Sequence, residues 1–210
     1  MKKEVMTVTQ ALAELKMLDQ RIQKKIRDSV YINYVTSSSA MSADEVDKLI
    51  KSGYQSISDL IARRDAIKNA VVVSNATATV TVGSKKYTVA EAIDMKAHGI
   101  QYKNALLQQM TNQLVGCHEQ YNAAKERVEE KALSLGKSAE DTKDIDTARS
   151  ADVYSKWIKD HPVTLVDPLK LQEKVWALEA EISEFVLNVD VALSVSNATK
   201  TIEIGDEADD

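Results

Sequence analysis

The sequence predicts a mainly α-helical protein, in which long antiparallel helices or coiled coils are joined by short β-hairpin elements. Three observations support this prediction. Apolar residues recur at spacings of three and four over long stretches, which is the period of an amphipathic helix. One phrase of eleven residues occurs twice in the 210-residue chain. Aromatic residues make up only 5% of the composition and there are two prolines, as expected for long packed helices.

The repeated phrase predicts an internal helix–strand repeat. VSNATATVTVG begins at Val73 and returns as VSNATKTIEIG at Val195, an offset of 122 residues with seven identical positions. Each copy follows a helix-like run, and its second half alternates as a strand does. We therefore expect strands at residues 77–82 and 199–204. Because they follow equivalent helices, we expect these two strands to pair with each other.

Capping residues mark where two of the helices begin. Ser42 with Glu45, and Thr88 with Glu91, form capping boxes, which satisfy backbone N–H groups at a helix start. The second box opens the longest predicted helix, residues 89–133, in which apolar residues fall seven apart without a break. The β-branched and aromatic segment VYINYV is predicted as a short strand. This segment is residues 30–35. The remaining predictions are helices at residues 8–26, 46–71, 151–159 and 168–192, and a turn at Gly83 that makes a hairpin.

These elements divide the chain into four parts, with the C-terminal helix and strand expected to pack on the first part. The parts are residues 1–135 (helical region with the β-hairpin), 136–150 (polar linker), 151–204 (C-terminal helix plus strand) and 205–210 (acidic tail). The helical seams are too long to be covered fully within one chain. The protein is therefore predicted to be a homo-oligomer.

Composition excludes several classes of function. The net charge of −5 argues against a general binder of nucleic acid or membrane surfaces. The single cysteine, Cys117, excludes an internal disulfide framework and fits a reducing, cytoplasmic compartment. No apolar run approaches the length of a membrane span. The three histidines are isolated, and no catalytic, metal-binding or phosphate-loop motif is visible, so no enzyme, cofactor or metal is predicted.

Arg63 and Arg64 are the leading candidates for a ligand site. The equivalent positions of the second copy carry the apolar pair Phe185 and Val186. Arg64 also occupies a seam position that the heptad reserves for apolar residues. An unpaired buried guanidinium is costly, so a charge there needs an acidic partner or an anionic ligand. Arginine is well suited to forked binding of phosphate.

The alternative for this pair is structural. Arg64 has Asp59 and Asp65 within reach on the same helix, or its side chain extends to the surface.

Further binding candidates lie near the helix ends and seams. Asn75 and Thr77 offer polar side chains in the repeat, and Asn75 could adopt left-handed geometry; the alternative is simple helix termination. Tyr54, Tyr102 and Lys103 could line a pocket for a ring-bearing ligand by stacking and cation–π contact, or merely flank a seam.

Several motifs resemble those of a group of bacterial and bacteriophage helical coiled-coil proteins. They are the Asn-Ala-Thr turn, the hairpin through Gly83, and the phrase YTVAEAI at Tyr87, together with the opening VTQALAELK at Val8. The resemblance implies a phage or bacterial origin and a cytoplasmic location, in the host if the protein is phage-encoded. It assigns no enzyme class.

Two functions from different classes fit these observations. The first is a non-enzymatic oligomer that sequesters a small anionic, nucleotide-like ligand, similar in kind to phage "sponges" that remove immune signals of the host. The second is a structural or scaffold coiled-coil protein of a virion or its assembly. The two differ in what surrounds Arg64: a buried, unfilled polar pocket favours the first, and a surface pair with Asp59 or Asp65 favours the second.

Overall fold

The chain is mainly helical, with two small antiparallel sheets, as predicted. A computed structural model describes residues 4–37, 39–140 and 147–205, apart from the side chains of residues 139, 140 and 147–150. The helices are α1 (Val8–Asp28), α2 (Ala43–Thr77), α3 (Val89–Asp94), α4 (Ile100–Glu140), α5 (Thr147–Asp160) and α6 (Leu171–Thr199), with a π-helical turn at Met95–Gly99. The strands are β1 (Glu4–Thr7), β2 (Thr79–Val82), β3 (Lys85–Thr88) and β4 (Thr201–Ile204).

The chain forms two compact units. Unit 1 consists of residues 1–97 and 184–210, and unit 2 consists of residues 98–183. The boundary therefore falls inside the π-helical turn and inside α6, and not in the predicted linker at 136–150. Residues 136–140 of that linker belong to α4 and residues 147–150 to α5, while 141–146 lie outside the described residues. Of the predicted acidic tail, 206–210 also lies outside the described residues.

The prediction that the two repeat strands pair with each other is wrong. β2 pairs with β3 in a hairpin, in the register Thr79 to Thr88, and β4 pairs with β1, in the register Thr201 to Thr7. A hairpin partner two residues away along the chain is the nearest one available, so β2 takes β3. β4 then pairs with β1, a strand that the sequence analysis did not predict because it directly precedes a helix.

Each strand pair joins the end of one helix to the start of another. At the first pair, the N–H of Val89, the first residue of α3, donates to the carbonyl of Ala78, which caps α2 (2.9 Å). At the second pair, the N–H of Val8 donates in the same way to the carbonyl of Lys200 (3.0 Å). These bonds satisfy amides that a helix start leaves without an internal partner.

The two strand pairs are copies of one helix–strand–strand–helix module. Module A is the end of α2, β2, β3 and the start of α3, and module B is the end of α6, β4, β1 and the start of α1. Their helix starts match in sequence, TVAEAI at Thr88 against TVTQAL at Thr7, and both have a capping box. Module A is closed by the turn Gly83-Ser84, whereas module B is formed by the two ends of the chain.

Buried positions correspond between the modules. Ala11 on α1 and Ala92 on α3 are both 0% exposed, so at both places the helix is closely covered. Ile67 on α2 and its repeat equivalent on α6, Val189, are almost fully buried as well. The main hydrophobic cluster combines α1, α2, β1 and β4, and it contains Met6, Val8, Ala11, Leu15, Leu18, Ile22, Ile67, Val71, Ile202 and Ile204.

The second half of α6 packs against the hairpin of module A. The ring of Phe185 meets that of Tyr87 edge-on, with the centroids 5.7 Å apart. Glu184 accepts a hydrogen bond from the Ser84 hydroxyl at 3.2 Å. Further along the helix, Asp190 forms an ion pair with Lys96. Together these contacts attach α6 to the hairpin that follows its repeat equivalent, α2.

Unit 2 contains α4, α5 and the first half of α6. α4 and α5 pack together, with Ala132 fully buried. At the end of α5, the ring of Trp157 stacks on that of His161, the residue that follows the helix, with the centroids 3.7 Å apart. The helix predicted for residues 89–133 is present, but it is divided into α3 and α4 by the π-helical turn and extends to Glu140.

The prediction of a strand at residues 30–35 is wrong, because the segment lies in the connection between α1 and α2 and belongs to no sheet. Strand propensity describes how well side chains fit a pleated surface, and it yields a strand only where a partner supplies the hydrogen bonds.

Gly83 provides a test of the module. Its φ of +59° lies in the left-handed region, and a Cβ there would collide with the Glu184 side chain. We expect Gly83→Ala to lower the free energy of unfolding by about 1–2 kcal/mol, the cost of left-handed geometry for an L-residue. Urea denaturation followed by circular dichroism measures this.

The matched control is Gly205→Ala, at the repeat equivalent of Gly83, where a Cβ meets open space. It should change the free energy by less than about 0.5 kcal/mol. Equal losses in the two variants would contradict the proposed role of the turn.

Candidate functional site

Arg63 is held by two carboxylates of unit 1. Its guanidinium lies 2.7 Å from Glu4 of β1 and 3.0 Å from Glu14 of α1. Its side chain is partly buried, and these hydrogen bonds raise the pKa of Arg63 and lower the pKa of Glu4. Arg63 therefore joins the centre of α2 to both the first strand and the first helix.

Arg64 is also paired, at the surface. Its Nε donates to Asp19 of α1 at 2.8 Å and its Nη1 donates to the neighbouring Asp65 at 2.9 Å. Asp65 is one of the structural partners that the sequence suggested, and Asp19 is a partner that it did not suggest. Arg64 does not face a buried, unfilled polar pocket.

The apolar replacement of Arg63 in the second copy has a structural explanation. Phe185, its repeat equivalent on α6, contacts Tyr87 of β3, and the strand residue equivalent to Tyr87 in module B is Met6. Both positions therefore connect a long helix to a strand pair, by ion pairing in one copy and by an aromatic contact in the other.

The polar residues of the repeat complete the ends of the helices. The Thr77 hydroxyl donates to the carbonyl of Val73 at 3.0 Å, and in the second copy the Thr199 hydroxyl donates to Val195 at 2.8 Å. Both threonines lie in the last helical turn and not in a strand as predicted. The left-handed geometry suggested for Asn75 is also wrong, since Lys170 is the only non-glycine residue with positive φ within the described ranges.

The three residues suggested for a ring-binding pocket belong to different units. Tyr54 lies on α2 in unit 1 and is 64% exposed. Tyr102 lies at the start of α4 in unit 2 and is 78% exposed, while Lys103 beside it forms an ion pair with Glu181 at 2.8 Å. Lys103 is thus held by a carboxylate in its own unit.

Two open clefts of unit 1 include predicted site residues. One, of about 440 Å³, is lined by Asp59, Ala62, Arg63, Asp65, Ala66, Asn69, Ile204 and Gly205. The other, of about 560 Å³, lies where the two repeat copies meet, and is lined by Ala70, Val73, Ser74, Thr77, Ala78, Lys200, Thr201, Ile202 and Glu203. Each cleft contains at least as many acidic as basic side chains, which disfavours an anion.

The other reactive side chains that the structure describes include two histidines and one cysteine. His118 and His161 each contact a backbone carbonyl four residues earlier, and Cys117 is exposed. Across the described residues, no three His, Cys, Asp or Glu side chains are grouped so as to hold a metal ion. A search of the same residues finds no helix with the length and apolarity needed to cross a membrane.

Comparisons with protein-family models, curated proteins and solved structures found no match to this chain.

The pairing of Arg63 with Glu4 predicts a pH effect on stability. The Glu4 pKa is lowered below its ordinary value of 4.5 by the hydrogen bond from Arg63. Stability from a lowered carboxyl pKa is fully present above the unfolded value and is lost as the pH falls through the folded value. We expect the urea concentration at the unfolding midpoint to decrease as the pH is lowered below about 4.5. Glu4→Gln should remove part of this decrease.

A double-mutant cycle with Arg63→Met isolates this pair. In the Arg63→Met background, Glu4→Gln should leave the pH dependence unchanged. The capping boxes provide the baseline, because Ser42 and Thr88 lower the pKa of Glu45 and Glu91 independently of Arg63. The same effect of Glu4→Gln in both backgrounds would contradict the assignment.

Proposed function

We propose that the protein is a non-enzymatic structural or scaffold protein that works as a homo-oligomer, assembled by coiled-coil packing of its long helices. The observation that carries this proposal is a second apolar face on α6. The resemblance of the sequence motifs to phage and bacterial helical proteins directs the role toward a virion or its assembly.

The second half of α6 is apolar on two opposite sides. Phe185 and Val189 are buried against the rest of unit 1. Leu187, Val191 and Val195, which we call the α6 outer row, are 77%, 65% and 57% exposed. With 3.6 residues per turn, Leu187 and Val191 lie on the side of the helix opposite Phe185 and Val189, and Val195 lies between the two sides. A helix that is apolar on all sides is ordinarily buried, so this row calls for a partner.

The internal repeat indicates that the α6 outer row is not needed by the module itself. The positions on α2 equivalent to Leu187 and Val191 are Asp65 and Asn69, both polar and exposed. The third member of the row, Val195, has the exposed valine Val73 as its equivalent, so the two long helices differ at two of the three positions. The apolar residues on α6 serve a purpose beyond the fold of the single chain, and self-association is the one that long helical seams favour.

The surroundings of the arginine pair support the same proposal. Arg63 and Arg64 have four carboxylates within 3.0 Å, so both guanidiniums already have partners. A ligand anion would have to displace these carboxylates and remain close to them.

Charging the α6 outer row tests the proposal. Val191→Glu should convert the oligomer to monomer, since a carboxylate placed in an apolar seam loses its hydration without gaining a partner. Sedimentation velocity reports the mass, and circular dichroism checks that the variant remains folded.

The matched control is Asn69→Glu, which places the same charge at the equivalent position of the other repeat copy and should leave the mass unchanged. A wild-type protein that is monomeric throughout the micromolar range would overturn the proposal.

A second candidate function is sequestration of a small anionic, nucleotide-like ligand. The observation in its favour is the cleft of about 560 Å³ where the two repeat copies meet, because Ser74 and Lys200 line it with groups that can donate hydrogen bonds. Glu203 in the same cleft and the pairing of both arginines count against it.

Thermal unfolding with adenine and cyclic nucleotides separates the two candidates. A ligand at 100 times its Kd stabilises the folded state by about 2.7 kcal/mol, which raises Tm by several degrees. We expect no rise for a structural protein. A rise that is lost in Lys200→Ala or in Arg63→Ala would favour sequestration and identify the cleft used.

A further inference from the structure

The connection between α1 and α2 carries an apolar segment whose tie to another element, within the described residues, is one side-chain hydrogen bond, from the Tyr31 hydroxyl to the carbonyl of Ile26 on α1 at 2.9 Å. Residues 30–35 (VYINYV) include Ile32 at 88% and Tyr34 at 82% exposure, among the highest values for large apolar residues in the protein. Within the described residues, the backbone of this segment forms no hydrogen bond to another backbone group. The segment has strong strand propensity, exposed side chains and backbone amides free of other backbone groups, which together are what a strand awaiting a partner presents.

Symmetry limits how this segment can pair with a second copy of itself. In an antiparallel pair, opposed residues lie on the same face, and side chains alternate between faces along each strand. A two-fold axis between identical strands must therefore pass midway between one residue and its own copy, which oppose each other. Within the segment, the central choices are Ile32 and Asn33.

The register centred on Asn33 matches the side chains better. It places Ile32 opposite Tyr34 of the second copy and Tyr31 opposite Val35 of the second copy. Because of the two-fold axis, each of these pairs occurs twice. Aromatic residues opposite β-branched residues are favourable cross-strand pairs. The register centred on Ile32 would instead place Tyr31 opposite Asn33.

The hydrogen bond already made by the Tyr34 amide agrees with this register. The N–H of Tyr34 donates to the side-chain oxygen of Asn33 at 2.9 Å. If Asn33 forms a hydrogen-bonded pair with its copy, the amides of Tyr31, Asn33 and Val35 point to the partner and that of Tyr34 points away. The amide that is already satisfied is thus one that the pairing does not need.

We propose that residues 30–35 form an antiparallel strand pair with the same segment of a second copy, centred on Asn33. This inference rests on the proposed self-association, because an isolated pair of short strands is marginal in water. The pair adds a fixed register to an assembly that the helices hold together.

Disulfide trapping tests the register, in a Cys117→Ser background that removes the exposed native thiol. In the proposed pair, position 33 opposes its own copy at a Cα separation of about 5.5 Å, within the range of a disulfide. Position 32 lies diagonal to its copy, at about 7–8 Å, which is too far. Under mild oxidation, we expect Asn33→Cys to convert largely to a covalent dimer, and Ile32→Cys to form no more dimer than the background.

Ile32→Cys is a stringent control, since random collisions would crosslink its highly exposed position at least as fast. Equal crosslinking of the two variants, or no crosslinking of Asn33→Cys, overturns the strand pair. Sedimentation of the reduced variants separates this result from the proposed function. If Asn33→Cys is an oligomer that forms no disulfide, the function stands and the strand pair is rejected, whereas a monomeric wild-type protein rejects both.

Discussion

The fold of unit 1 depends on a hydrogen bond made twice between the start of one helix and the end of another. Val89 donates to Ala78 in module A, and Val8 donates to Lys200 in module B. Each bond is the first rung beyond a strand pair, so it fixes the register of the strands and the position of both helices together. Module B has no covalent turn, and this contact brings the two ends of the chain into one sheet.

Since the two modules share one backbone geometry, their differences indicate what each copy adds. Arg63 in one copy and Phe185 in the other both attach a long helix to a strand pair, so the loss of the arginine does not identify a ligand site. The difference on the outer side of the helices has no such explanation within the chain. Val191 on α6 is apolar and exposed, whereas the equivalent residue on α2 is Asn69. The proposed self-association would explain this difference.

Local patterns predicted local structure well, and partners poorly. The capping boxes at Ser42 and Thr88 and the helix–strand repeat are present as expected, because each depends on residues within a few positions. The partner of β4 and the ion pairs of Arg63 with Glu4 and Glu14 depend on residues about 50 or more positions away, on which periodicity carries no information. TVTQAL at Thr7 matches TVAEAI at Thr88, where a strand leads into a capping box. This match predicts the capping box that begins α1, and with it strand β1.

One apolar outer row per chain constrains how copies would assemble. If both repeat copies carried such a row, each chain would present two surfaces, and association could continue into open filaments. Asp65 and Asn69 make the outer side of α2 more polar than that of α6, although Val73 is exposed there as Val195 is on α6. Under the proposed self-association, the α6 outer row is therefore the more favourable surface for a second copy. A single self-complementary surface closes as a two-fold dimer, and a two-fold axis is also what the strand pair centred on Asn33 requires. The strand pair rests on the proposed self-association, and the two contacts form one closed dimer only if they share this axis.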